Sequence, residues 1–188
     1  MITVREATLS DAERILEIYA YYIENTAISF ECTVPTIAAF RRRMQTIMQR
    51  YPYLVILDNG RIEGYAYAGP YKDRAAYAWC CEMTIYLDHR AKKRGLGKRL
   101  YAALTNALQA MGIVCMYACI ACPDRDDEYL NSNSAEFHAH LGYRKIGEFR
   151  HCGYKFGRWY NIVWMEKIIG VHTTPQPPVV PYPELESR

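Results

Sequence analysis

"KKRGLGKRL", residues 92–100, sets basic side chains around Gly95-Leu96-Gly97 and then runs into a helix-favouring stretch. A helix start leaves backbone N–H groups without partners and carries a partial positive charge. Glycines there let the backbone close on an anion and take conformations that other residues resist. The preceding segment, "YAWCCEMTIYL" (77–87), is aromatic and apolar and reads as a strand covered on both faces. A strand, a basic Gly-x-Gly turn and a helix together make a phosphate cradle. An ordinary tight turn would use the same two glycines, so the turn alone does not decide. It is not a P-loop, because Lys98 is followed by Arg99 rather than Ser or Thr. Nor is it a dinucleotide fingerprint, because position 100 is Leu where a third glycine is needed.

Upstream, Asn59-Gly60 stands between the apolar runs of "YLVILDNGRIEGYAYAG" (53–69) and predicts a type I′ hairpin. "ITVREA" (2–7) alternates as a first strand. Ser10 and Glu13 fit a capping box, and Ile15, Ile18, Tyr19 and Tyr22 recur at helical spacing. A second helix follows Pro35 over residues 36–50. It sets Ile37, Phe40, Met44, Ile47 and Met48 on one face and Arg41, Arg42 and Arg43 mostly on the other. Downstream, the helix after the glycines runs to about Met111 and ends at Gly112. Residues 113–121 read as a buried strand, 122–133 as a polar loop and 134–142 as a short helix. Residues 143–151 and 158–168 read as closing strands. This order predicts one α/β (α+β) domain over residues 1–169, built on a mixed sheet. Residues 170–188 are proline-rich, without helical or strand period, and read as an extended or mobile tail.

The 188 residues, 51% hydrophobic and 23% charged, suit one soluble domain with a sizeable core. The net charge of +3 demands no anionic partner. Seventeen tyrosines spread through the core elements instead of gathering with the basic clusters, so no nucleic-acid partner is expected. No apolar run approaches the roughly 20 residues of a membrane span. The amino terminus carries charges throughout and has no apolar signal core, which reads as cytoplasmic. Cysteines number seven, and Cys119-x-x-Cys122 has no second pair at zinc-finger spacing. Free thiols and no metal are expected.

The element order and the turn resemble the GNAT superfamily of acetyl-CoA-dependent N-acetyltransferases. Its Gln/Arg-x-x-Gly-x-Gly/Ala signature is met by Lys92-x-x-Gly95-x-Gly97, with Lys at the first position as a departure. Within that superfamily the chain resembles the phosphinothricin acetyltransferase group. "AISFE" (27–31) resembles the group's substrate-side loop. Arg74, Tyr77, Glu82 and Tyr86 match its Arg-x-x-Tyr-(x)4-Glu-x-x-x-Tyr segment. Asn131, Ser134, His138 and Gly142 match its short helix, and "GYKFGRWYNIVWM" (153–165) its closing segment. Asn161 stands where the group usually has Asp, and "PDRDDEY" (123–129) looks like an insertion.

The resemblance implies a GNAT-like domain, with a mostly antiparallel sheet and helices on both faces, that assembles as a homodimer. It implies acetyl-CoA as cosubstrate. The pyrophosphate would lie on Lys92, Lys93, Arg94, Gly95, Leu96, Gly97 and Lys98. The pantetheine arm would lie along the backbone of Ile85, Tyr86 and Leu87. Ser134 and either Asn131 or Asn133 would contact the cosubstrate, with spacing favouring Asn131. Phe30, Glu31, Arg74 and Tyr77 would line the acceptor side, with Arg74 clamping a carboxylate. Lys155, Phe156 and Arg158 would serve either substrate or subunit contacts.

Acetyl transfer to an amine needs a base, because most amines are protonated near neutral pH. Glu82, a carboxylate inside an apolar strand, is the candidate, since burial raises its pKa. A structural pairing with Arg74 is the competing reading of the same residue. His138 would assist the base or return a proton to the departing thiolate. The expected reaction is acetylation of the primary amine of a small amino acid or analogue. A protein amino terminus or lysine is an alternative acceptor, and a non-catalytic acetyl-CoA-binding module a further one.

Overall fold

The alternating segment at the amino terminus forms β1 (Ile2–Glu6), and two amphipathic helices follow, α1 (Ala12–Asn25) and α2 (Ile37–Met48). The computed structural model describes residues 1–91 and 94–187. The start of α1 differs from the sequence expectation. Asp11 takes the carboxylate role two residues before Glu13, accepting from the Thr8 amide at 2.7 Å. Ser10 instead lies inside a single 3-10 turn, Leu9–Asp11, that leads into the helix.

β2 (Tyr53–Asp58) and β3 (Arg61–Pro70) are joined through Asn59 and Gly60, whose φ angles of 49° and 81° are those of a type I′ turn. Then come β4 (Cys80–Leu87), α3 (Leu96–Met111), β5 (Cys115–Cys122), α4 (Asn133–His140), β6 (Arg144–Lys155) and β7 (Arg158–Ile168). The seven strands form one sheet in the order β1-β2-β3-β4-β5-β7-β6. Every pairing is antiparallel except β4 with β5. This is the mixed, mostly antiparallel α/β sheet that the sequence implied.

Alternation along the central strands serves two cores. Tyr53 and Val55 pack with Ile15, Ile18 and Ile23 of α1 and Phe40 and Met44 of α2. Leu54 and Ile56 face the other way, toward Leu100, Leu104 and Leu108 of α3. The helices therefore cover both faces. Among the described residues no helix is long and apolar enough to cross a membrane.

The proline-rich segment runs without regular structure to Pro181 and then, unlike the sequence expectation, closes in a 3-10 helix, Tyr182–Ser187; it is tied to the domain along its length. Trp79 Nε1 donates to the Pro177 carbonyl at 2.7 Å, and the Val180 amide to Met111 at 2.9 Å. Farther on, the Tyr182 amide donates to the Arg50 carbonyl and its hydroxyl to Glu6, at 2.9 and 2.8 Å. None of these residues lines the cleft described below. Removing residues 170–188 is expected to cost about 2–4 kcal/mol, at about 1 kcal/mol per bond less the ordering entropy regained. In a calorimetric scan this is a fall of roughly 5–15 °C in Tm. KM values should stay unchanged, and a large rise in either would show that the strap shapes the site.

Candidate active site

β4 and β5 pair only at Cys80↔Cys115, Cys81↔Met116 and Glu82↔Tyr117. Beyond that point β4 continues to Leu87, paired only with β3, and β5 to Cys122, paired only with β7. The sheet forks, and Glu82 occupies the last paired position. The fork opens a cleft of about 330 Å³. One wall comes from the α1–α2 side: Tyr19, Phe30, Glu31, Arg43 and Tyr67. The other comes from the α3–α4 side: Tyr101, Ser134 and His138. A cleft running through the sheet at a splayed strand pair lets two molecules meet from opposite faces.

Glu82 is half-buried, and burial pushes its carboxyl above the usual range, opposed by nearby Lys72. Among the described residues it forms no ion pair with Arg74, which is exposed on the turn after β3. Gly69 lies directly across from Glu82 on β3.

His138 is buried with both ring nitrogens engaged. Its Nδ1 donates to the Ser134 carbonyl at 2.6 Å, which leaves Nε2 to accept from the Tyr101 hydroxyl. Burial lowers its pKa, and the Ser134 contact opposes this only in part. Burial therefore favours the neutral ring, which lines the cleft beside Tyr101. Tyr101 itself escaped the sequence reading because its position in α3 matches that of an ordinary core residue. Its phenol is held far above the usual range by burial.

On the acceptor side, Glu31 accepts from Arg43 at 2.7 Å and from the Tyr19 hydroxyl at 3.1 Å. Lys155 is buried and donates to the Ser29 carbonyl at 2.6 Å. A Cβ at Gly153 would come within 2.0 Å of the Phe30 ring, so only glycine lets that ring lie against β6. Phe156 stacks on Tyr129 with centroids 4.3 Å apart, and Arg158 bonds Asp127 and Glu128 at 3.0 and 2.7 Å. These three closing-segment residues thus make contacts within the chain. Asn161 is buried, donating to Asp124 at 2.8 Å and accepting from the His151 amide at 2.8 Å. An Asp there would face Asp124 as a second carboxylate, so the amide suits the inserted loop. Arg74 and Tyr77 do not line the cleft, and neither do Asn131 and Asn133.

At the head of α3, Gly95 has φ +71° and open space where a Cβ would point, while its carbonyl accepts the helix's first bond from Arg99. The amides of Leu96, Gly97 and Lys98 form the first turn, where helix geometry provides no partner. Gly97 is different. A Cβ there would meet Phe137 at 2.9 Å, so a bulky residue would disturb packing before it touched any ligand. The Arg94 side chain is paired with Asp58, and Lys92 and Lys93 lie outside the described residues. Ile85, Tyr86 and Leu87 lie on the arm of the fork whose edge toward β5 is free, leading to this turn. The Leu87 carbonyl already accepts from Tyr22 at 2.6 Å.

A through-sheet cleft with a basic helix start at its mouth suits an elongated anionic cosubstrate. Residues 4–164 match the acetyltransferase (GNAT) domain family. The chain belongs to this family. It is accordingly an acyltransferase, with acetyl-CoA as cosubstrate. It is 33% identical over 176 residues to a phosphinothricin N-acetyltransferase of Streptomyces viridochromogenes, covering 94% of this chain and 92% of that one. It is 29% identical to an L-methionine sulfoximine/L-methionine sulfone acetyltransferase of Salmonella typhimurium, covering 93% and 98%. A crystal structure of a phosphinothricin acetyltransferase from Sinorhizobium meliloti, in complex with AcCoA, superposes with a TM-score of 0.86 at 34% identity. That match covers 97% of this chain and 96% of the other. The open space at Gly95 and the free β5-facing edge of β4 fit such a cosubstrate.

Proposed function

We propose that this chain moves the acetyl group of acetyl-CoA to the primary amine of a small amino acid or close analogue, of the phosphinothricin or methionine sulfoximine type. The observation that carries this reading is Glu82, a carboxyl raised by burial at the apex of the forked strands. As general base it takes a proton from the incoming ammonium, so that the neutral amine can attack the thioester carbon. The backbone of Ile85 to Leu87 would guide the pantetheine arm, and the residues from Arg94 to Lys98 would seat the pyrophosphate. Ser134 and Asn131 would contact the cosubstrate near the reaction centre. His138 would act by holding the Tyr101 hydroxyl at the cleft. Phe30 and Glu31 would receive the acceptor in the cleft, and Arg74 and Tyr77, outside its lining, would reach it from the turn after β3.

A cleft of this volume suits a small molecule better than a polypeptide side chain with its backbone. The deciding experiment follows CoA thiol release with acetyl-CoA against a panel of amino acids, plain amines and peptides. Activity confined to amino acids and analogues is expected. Preference for peptides would promote the protein-acetylating alternative, and no release with any amine would leave a binding module.

Assembly as a homodimer is part of the same proposal. Phe149, Tyr154 and Trp159 of the β6–β7 pair are each 59% exposed, and β6 is an edge strand. Exposed aromatic side chains of this kind commonly mark an interface. Sedimentation at micromolar concentration should give a dimer, and Trp159→Glu should give a monomer. A monomeric wild type would end this part of the reading.

A further inference from the structure

Helix α1 grips the end of β4 at three consecutive residues. Tyr22 donates to the Leu87 carbonyl, Arg14 bonds the Asp88 carboxylate, and Tyr21 stacks on the His89 ring. The stacked rings have centroids 3.8 Å apart and planes 8° apart. Asp88 is the centre of the grip and is only 3% exposed. Its Oδ1 accepts from both the amide and Nε of Arg90 at 2.9 Å. Its Oδ2 accepts from Arg90 Nη2 at 2.8 Å and from Arg61 at 3.5 Å. Its backbone is fixed as well: the amide donates to Glu63 at 2.7 Å, and the carbonyl accepts from Ala91 at 2.8 Å. The Arg90 hydrogen bonds, with those from Arg14, hold the carboxyl far below the usual range, so it is charged at any working pH. Asp88 does not line the cleft, yet its neighbours touch the Gly95 turn: Leu87 lies 3.5 Å from where a Cβ on Gly97 would stand, and Ala91 is buried in the same core as Leu96.

We propose that Asp88 is a positioning residue for the cosubstrate. Its carboxylate, tied to α1 through Arg14, fixes residues 87–91 and so aims the amides of the Gly95 turn at the pyrophosphate of acetyl-CoA. This rests on the reading of that turn as the pyrophosphate seat. A purely structural ion cluster would affect folding and every donor alike. The same helix bonds the acceptor loop from between these residues, through Tyr19 to Ser29 and Glu31. Loss of α1 packing as a whole would therefore also disturb the acceptor.

The test compares two acetyl donors, acetyl-CoA and S-acetylpantetheine, which keeps the thioester and the arm but lacks the pyrophosphate. Steady-state kinetics are measured for the wild type, Asp88→Asn and Arg14→Gln. For Asp88→Asn the KM for acetyl-CoA should rise about tenfold, the scale of one lost charge-assisted bond. The kcat at saturation and the KM for the acceptor should stay within about twofold, and turnover of S-acetylpantetheine should not change. Arg14→Gln leaves Arg61 and Arg90 on Asp88 and should show the same pattern more weakly. It carries the test if Asp88→Asn does not fold. Equal losses on both donors, or an unchanged KM for acetyl-CoA, would overturn the role of Asp88. A wild type that uses the two donors equally well would instead remove the pyrophosphate reading, and this role with it.

Discussion

Glu82→Gln is expected to keep acetyl-CoA affinity and to lose about 100-fold or more in turnover, the range for removing a general base. The amide matches the carboxylate in shape, so the forked strands and the cleft stay as they are. What disappears is the proton acceptor at the last paired position of β4 and β5. The pH profile gives an independent reading. Burial raises the Glu82 carboxyl, so the acidic limb of kcat should lie above the ordinary glutamate value of about 4.3. That limb should vanish in the variant. Stability should move in the opposite sense to activity. A folded-state pKa raised above the unfolded value gives a contribution that is full below the unfolded pKa and lost as pH rises through the folded one. The ionised Glu82 is therefore a cost near neutrality, which Gln does not incur. The variant's Tm should exceed the wild type's at about pH 8, with the gap shrinking toward about pH 4. Near-normal turnover of the variant would make Glu82 structural and send the search for a base to Tyr101 and His138.

The layers and the order of the elements were legible because the strongest local signals are backbone signals. Asn59-Gly60 can hardly be anything other than a tight hairpin turn, and the glycines at 95 and 112 bracket α3 with positive φ at both ends. The fork itself left no such trace. Cys80–Leu87 and Cys115–Cys122 are both apolar runs, and nothing in either says that pairing stops after Glu82↔Tyr117. Separation there is a tertiary outcome, set by what packs between the strands. For the same reason Tyr101 read as core. Its helical spacing matches that of Leu100 and Leu104, and only the fold turns its hydroxyl to His138. The grip on Asp88 was equally hidden, because Arg14, Arg61 and Arg90 are far apart in the chain and each reads alone as a solvated charge. Of the residues named from continuous motifs, Phe30, Glu31, Glu82, Ser134 and His138 line the cleft, and Arg74, Tyr77 and Asn131 do not. Contacts assembled across elements, such as Tyr101 with His138 and Arg14 with Asp88, left no signal in the sequence.

Arg74→Ala is expected to cut kcat/KM roughly 10- to 150-fold for amino-acid acceptors while leaving plain amines nearly unaffected. Lys155 is committed to the Ser29 carbonyl and Lys72 acts on Glu82 itself, which leaves two guanidinium groups, Arg43 and Arg74, to compare as partners for a substrate carboxylate. Arg43 lines the cleft, but Glu31 already holds it at 2.7 Å, so little of its charge is free. Arg74 has no side-chain partner among the described residues and is exposed on the turn between β3 and β4. That turn joins the strand ends just beyond the Gly69–Glu82 pair, so it is the segment on which Arg74 would reach the acceptor. A planar guanidinium meets a carboxylate with two hydrogen bonds, which fixes the α-amine relative to the thioester as well as adding affinity. Losing charge-assisted bonds costs about 1.5–3 kcal/mol, which sets the range given. The contrast between acceptor classes separates this role from unfolding, which would harm both. Arg43→Ala serves as the control and should act mainly through Glu31, with no preference for carboxylate-bearing acceptors. Equal loss on both classes for Arg74→Ala would refute the clamp. A carboxylate-specific loss in Arg43→Ala alone would move the acceptor's anchor from the turn to the wall of the cleft.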